Sequence, residues 1–242
     1  MTLSDECLLV SLILGLYLVD SANLLHLNEG VLVAGRSKWS VFLGMEKLQL
    51  RGRYVYVPSL LSLHKPAFRL AWDIEASPPR GTDPNWTRRR EQLNDFAPFV
   101  YASAIVLLGL LPLTVTLRLG DEILLLVLLL LYANLLACVT LIWIVRIPLQ
   151  VAVFRAFTLS VECLICPPNA LNIVRKLSLE SPPEADLVNA ASALLTPEDW
   201  SQLRARLLYR LDEVILGEEL GSERFKRLEK RRWSVAGMGG GR

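Results

Sequence analysis

Cys163 and Cys166, in the run Cys163-Leu164-Ile165-Cys166, form the motif-like pair of this chain. Two cysteines at this spacing supply half of a zinc site or a redox dithiol. Zinc needs about two further ligands. The two histidines, His26 and His64, stand far apart in sequence rather than as a ligand-spaced pair. A thioredoxin-like dithiol needs a strand-turn-helix setting, whereas these cysteines close an apolar stretch. The plainer reading is two small side chains meeting at an interface, and no metal or cofactor is expected. Asp20 carries more information. It follows thirteen apolar residues, 7–19 (CLLVSLILGLYLV). A carboxylate inside a spanning helix is a functional-site hypothesis by default. It would pair with Arg155 or Arg146, hydrogen-bond Asn134, or serve an ion path. The competing reading ends the hydrocarbon near Val19 and leaves Asp20 among headgroups with Ser21 and Asn23. Arg155 is the second polar candidate at membrane depth.

A third cluster is basic. Arg224, Lys226, Arg227, Lys230, Arg231 and Arg232 are interleaved with Phe225, Leu228 and Trp233. Such a helix suits anionic lipid headgroups, with its aromatic residues at the interface; a solvated charged helix is the bland alternative. Nucleic acid is not expected as a partner, since the chain's net charge is only +2. Tyr54, Tyr56 and Trp72 read as strand packing rather than base stacking. There is no glycine-rich phosphate loop, paired-carboxylate pattern or His-Glu-x-x-His motif, and nothing marks a nucleophile.

The elements that must hold these residues come from hydropathy. The 242 residues are 52% hydrophobic and 21% charged, with a mean hydropathy of +0.38. Disorder is excluded by the supply of apolar surface, and a disulfide scaffold by four cysteines in so long a chain. An ordinary water-soluble globule is excluded by two uncharged runs. Residues 98–117 (PFVYASAIVLLGLLPLTVTL) and 123–145 (ILLLVLLLLYANLLACVTLIWIV) each meet the roughly 20 residues needed to cross a bilayer. The link 118–122 is too short for anything but an antiparallel hairpin. Gly109 and Pro112 fall inside the first of these runs, where a proline bends a helix. Residues 7–26 read as a third span with polar last turns. A signal peptide is the reading not preferred here, since the leading MTLSDE has acids and no basic residue and a small-residue cleavage site is not convincing.

Orientation follows from basic residues near the spans. Residues 27–97 hold eleven Lys or Arg, the link holds Arg118, and the tail from 146 holds fourteen. All the heavily basic segments share a side if the N-terminus is outside and the C-terminus cytoplasmic. Asn85-Trp86-Thr87 matches a glycosylation acceptor but would face the cytoplasm, and reads as a chance tripeptide. Between the first two spans, residues 27–72 alternate as four or five short strands. A hairpin turn is expected at 35–38, and a second tight turn or a bulge at Gly52. Residues 73–97 read as a linker. Residues 146–166 read as an amphipathic helix at the interface, ended by Pro167-Pro168. Its polar face would hold Gln150, Arg155, Thr158 and Glu162, and its apolar face Val151, Phe154, Val161 and Leu164. Residues 167–242 read as a helical cytoplasmic tail. It would include a helix started by Thr196-Pro197-Glu198-Asp199 with Trp200, Leu203, Leu207 and Leu211 on one face.

The expected fold is therefore a mainly α membrane protein. It has three transmembrane helices, the last two a tight hairpin, with a small strand-rich cytoplasmic loop and a helical cytoplasmic tail. The expected compartment is a bacterial inner (plasma) membrane. The expected role is a non-enzymatic, membrane-anchored interaction or assembly component, with the lipid bilayer and a protein partner or second copy as partners. The alternative is an enzyme or carrier acting on a lipid or membrane-bound substrate, drawing on Asp20, His26, His64, Arg155 and the cysteine pair.

Overall fold

The computed structural model describes residues 5–35, 38–45, 47–59, 63–72, 85–180 and 185–237. The chain divides into two compact units. Expectations for residues 36–37 of the first hairpin turn, for the linker at 73–84 and for the end at 238–242 lie outside the described residues.

Unit 1 comprises Met1–Ala22, Val57–Pro66 and Asn85–Ser181. It is mostly helical: α1 (Asp5–Ser21), α2 (Trp86–Asn94), α3 (Ala97–Ile105), a π-turn (Val106–Leu110), α4 (Leu111–Thr116), α5 (Asp121–Val145), α6 (Val153–Ile165), a 3-10 helix (Pro167–Asn172) and α7 (Ile173–Glu180). Two helical runs, Trp86–Thr116 and Asp121–Val145, are long and apolar enough to cross a membrane. The apolar helix Cys7–Ser21 is shorter.

Pro112 explains the π-turn. Its ring would collide with the carbonyl of Leu108 in regular α-helix, and it donates no hydrogen bond. The chain widens instead, and the Leu111 N–H reaches back five residues to the Val106 carbonyl. Thr114 and Thr116 donate their hydroxyls to the carbonyls of Leu110 and Pro112 at 2.7 and 2.8 Å. These bonds satisfy both hydroxyls within the helix itself. After α4 the chain reverses through Arg118, at φ +48°, and α5 returns against α3, the π-turn and α4. One polar clamp crosses this hairpin: Asn134 donates to the Phe99 carbonyl at 2.9 Å and to Ser103 Oγ at 2.8 Å.

Three boundaries differ from the hydropathy reading. The first helix stops at Ser21, whose hydroxyl donates to the Leu18 carbonyl. Asn23–Leu25, expected inside the first span, form a strand paired with Arg53–Tyr56 instead, because strand pairing outweighs apolar continuity. The stretch 85–97 is not linker: Asn85 Oδ1 accepts the Arg88 N–H and starts α2, which leads directly to α3. The helix expected over 146–166 begins only at Val153, after a turn in which Gln150 has φ +59°.

Unit 2 comprises Asn23–Tyr56, Ala67–Pro84 and Pro182–Arg242. Its strands are β1 (Asn23–Leu25), β2 (Glu29–Ala34), β3 (Trp39–Phe42), β4 (Gln49–Leu50), β5 (Arg53–Tyr56) and β6 (Ala67–Ala71), followed by α8 (Leu187–Leu194), α9 (Pro197–Leu216) and α10 (Glu223–Gly237). The strands form two three-stranded antiparallel sheets, ordered β1-β5-β4 and β3-β2-β6, rather than one sheet of four or five. Arg51 and Gly52 both have positive φ, 51° and 74°. That is the two-residue turn whose twist matches an antiparallel hairpin, and it sets Leu50 opposite Arg53. Gly30 lets α8 approach the central strand: a Cβ there would lie 2.7 Å from Leu187 Cδ2. The tail helices thus share a unit with the loop strands. Arg210 on α9 is buried, donates to the carbonyls of Leu27 and Leu43 at 3.0 and 2.6 Å, and stacks over Tyr54 at 4.1 Å. Trp200, Leu203, Leu207 and Leu211 are buried along the same helix.

Candidate functional site

Asp20, Glu162, Arg175 and Lys176 of unit 1 meet at the end of α1. Pro167 and Pro168 cannot extend α6. The chain turns there, with the Asn169 N–H on the Cys166 carbonyl, and the 3-10 helix carries it to α7. This path brings Asn172, Arg175 and Lys176 to Asp20. Lys176 Nζ lies 2.6 Å from Asp20 Oδ1 and 2.7 Å from Glu162 Oε2, so one ammonium joins α1, α6 and α7. Asn172 Nδ2 donates to Asp20 Oδ2 and to the Tyr17 carbonyl, both at 3.0 Å. Arg175 donates to the Tyr17 hydroxyl at 2.6 Å, to Asn172 Oδ1 at 3.0 Å and to the Ser59 carbonyl at 2.9 Å. Arg155 lies 3.8 Å from Glu162.

Burial alone would lower the Lys176 ammonium, but hydrogen bonds and charge from Asp20 and Glu162 outweigh it and hold it above its ordinary value. A lysine fixed this way is protonated at neutral pH and is a poor nucleophile. Cys163 is buried against the same elements, and burial pushes its thiol up to about 12. A thiol held protonated is unreactive. Cys166 is half-buried, and no disulfide joins the four cysteines. Among the described residues no group of three or more His, Cys, Asp and Glu is placed to hold a metal ion.

The sequence candidates scatter around this cluster. The partners that the structure gives Asp20 are Lys176 and Asn172, in place of the Arg155, Arg146 or Asn134 expected for it. Arg146 stacks over Trp143 at 5.7 Å, and its buried Nε has no hydrogen-bond partner. His64 Nδ1 lies 2.6 Å from the Tyr101 hydroxyl, also in unit 1. His26 belongs to unit 2, where its backbone N–H donates to Glu29. Of the six basic lipid-surface candidates, Arg231 is a correction. It is 3% exposed and faces Asp186 at 3.4 Å, because it falls on the same helical face as the buried Leu228 and Val235. Arg224 pairs with Glu218 at 2.7 Å, Lys226 with Glu223 at 3.0 Å, and Arg232 with Asp212. Arg227, Lys230 and the largely exposed Trp233 lie on the outer side of α10.

Sequence reasoning missed Tyr17, Asn172, Arg175 and Lys176. The available signal was local: Arg175-Lys176 sit between Ile173-Val174 and Leu177, an apolar frame unlike a solvated helix. The fold and cluster define a helical protein with two apolar helices of membrane-crossing length, two small sheets and an internally paired charge cluster. No protein-family model matches the chain, and no curated protein or solved structure shows significant similarity to it.

Proposed function

We propose that this chain is an integral membrane protein whose spans hold a strand-and-helix unit at the cytoplasmic face, as a non-enzymatic interaction or assembly component. The observation that carries the reading is outward apolar surface. Ile105, Leu125, Leu126, Leu129, Leu130 and Ile144 are all more than half exposed, within the uncharged runs 98–117 and 123–145. Contiguous apolar surface of this kind marks contact with a membrane or partner. α5 at about 37 Å exceeds the roughly 30 Å of hydrocarbon. α1 is the third span in this reading: at about 25 Å it is short, yet it runs beside the π-turn and α4. The N-terminus is outside, the link 118–122 is outside, and unit 2 with its basic segments is cytoplasmic, at a bacterial plasma membrane.

The paired charges favour an assembly role over chemistry. Asp20, Glu162 and Lys176 satisfy one another, and the Cys163 thiol is held protonated. The partner is a second copy or another membrane component, with anionic headgroups as a subsidiary contact for Lys226, Arg227 and Lys230. Alkaline carbonate washing should leave the protein in the membrane fraction, and reporters fused at 118–122 and at the C-terminus should report opposite sides. Purification in mild detergent should retain a protein partner that is lost on deleting residues 222–242. Release by carbonate, or reporters on one side, would overturn the membrane reading. A phenotype lost with Asp20→Asn or with Cys163→Ser and Cys166→Ser, while association persists, would favour an enzyme or carrier.

A further inference from the structure

α6 carries more apolar surface than its protein contacts cover. At about 100° per residue, Ala156, Leu159, Ser160 and Cys163 share one face, and all four are buried. Arg155, Thr158 and Glu162 form a second, polar row. A third sector lies between them. Val153, Phe154, Phe157 and Ile165 point outward there, Phe154 and Ile165 at 79% and 78% exposure. The two-sided pattern read from sequence hides this division, because the protein-facing side is mostly small residues (Ala156, Ser160 and Cys163 beside Leu159) and the bulkier apolar side faces away from the protein.

Three observations select the occupant. The chain just before α6 is apolar and exposed as well: Trp143 and Ile144 in the last turn of α5 and Ile147 in the following turn. The length of α5 carries its last turn to the far headgroup level if its acidic first turn, Asp121 and Glu122, lies at the near one. Arg146 over Trp143 is the cation and aromatic pairing typical of a membrane-water boundary. Resting on the membrane reading above, we propose that α6 lies in the plane of one leaflet. Phe154, Phe157 and Ile165 sit among phospholipid acyl chains, and Arg155, Thr158 and Glu162 sit at the headgroups. A flat boundary between oil and water accounts for apolar and polar sectors side by side on the exposed part of one helix.

Full-length protein reconstituted in phosphatidylcholine vesicles tests this, with a phosphatidylcholine bearing a diazirine in its acyl chain as the probe. After illumination, peptide mass spectrometry should find lipid adducts on Phe154, Phe157 and Ile165. Their yield should be comparable to that on Leu125 and Leu129 of α5, and several-fold above that on Gln202 and Arg206 of α9. Adducts on α5 with none on α6 would overturn the proposal while leaving the membrane reading intact. Adducts on neither helix would overturn both. In a second preparation carrying a diazirine amino acid at position 157, a cross-link to a second copy in place of lipid adducts would overturn the bilayer assignment in favour of self-association.

Discussion

Lys176 is the residue on which three elements of unit 1 depend at once. Replacing it with Met would leave Asp20 without its cation and Glu162 with Arg155 alone. Breaking a fully buried pair costs about 3–5 kcal/mol; these groups keep some solvent contact, so about 2 kcal/mol is expected. Adding Asp20→Asn should recover part of that loss. A double-mutant cycle on thermal unfolding in detergent measures the coupling, and additive effects would refute the clamp. Glu29 makes a pH prediction in unit 2. Burial alone would raise its carboxyl, but the Arg69 guanidinium and the His26 N–H outweigh it and hold it below the ordinary 4.5. A carboxyl lowered in the folded state contributes stability that is present above its unfolded value and lost as pH falls through the folded one. The hydrogen-exchange protection factors of the Val31 and Val33 amides of β2, taken against the intrinsic rate at each pH, should therefore fall as pH drops below 4.5. In Glu29→Gln that pH-dependent loss of protection should disappear.

At the scale of elements, α8 depends on its first residue's neighbour. Asp186 Oδ1 accepts the Val188 and Asn189 N–H groups at 2.9 and 3.1 Å, while Oδ2 faces Arg231. Asp186→Ala removes an N-cap, about 1 kcal/mol, and strands a buried cation, about 3–5 kcal/mol. Asp186→Asn keeps an acceptor for the cap and isolates the charge. It should be rescued by Arg231→Met, and failure of rescue in thermal unfolding would show that the pair is not the source. The strands and α9 were legible because their signals are local: alternation, Gly52 in a hairpin turn, Thr196 capping with its hydroxyl on the Asp199 N–H. The end of α1 was not, because an apolar run does not record that Asn23–Leu25 pair with residues thirty positions away. α7 was missed because Arg175 and Lys176 look like solvent-facing charges until Tyr17, Asp20 and Glu162 are placed beside them. The Asp20 candidate itself was visible from its type and position; its partner was not, since pairing across 156 positions leaves no periodic trace.

For the whole molecule, the two units are interleaved along the chain. Strands from 23–56 and 67–71 share a unit with helices from 187 onward, and both apolar runs lie between them. Truncation after 181 should therefore remove α8 from β2 and Arg210 from the Leu27 and Leu43 carbonyls. Such a protein should still fractionate with membranes through its helices, but residues 23–72 should become sensitive to limited proteolysis. A truncated protein with those residues still protected would refute the shared unit.

That interleaving sets a timetable for biosynthesis. Roughly 110 residues separate Ala71 from Pro182, and a ribosome adding about 5–20 residues per second needs on the order of ten seconds to make them. Throughout that interval the nascent β-sheets wait without their helical cover, exposing Leu32 and Phe68 to any neighbour. A cell producing this chain must shield an unfinished half-domain while the apolar hairpin is still being made.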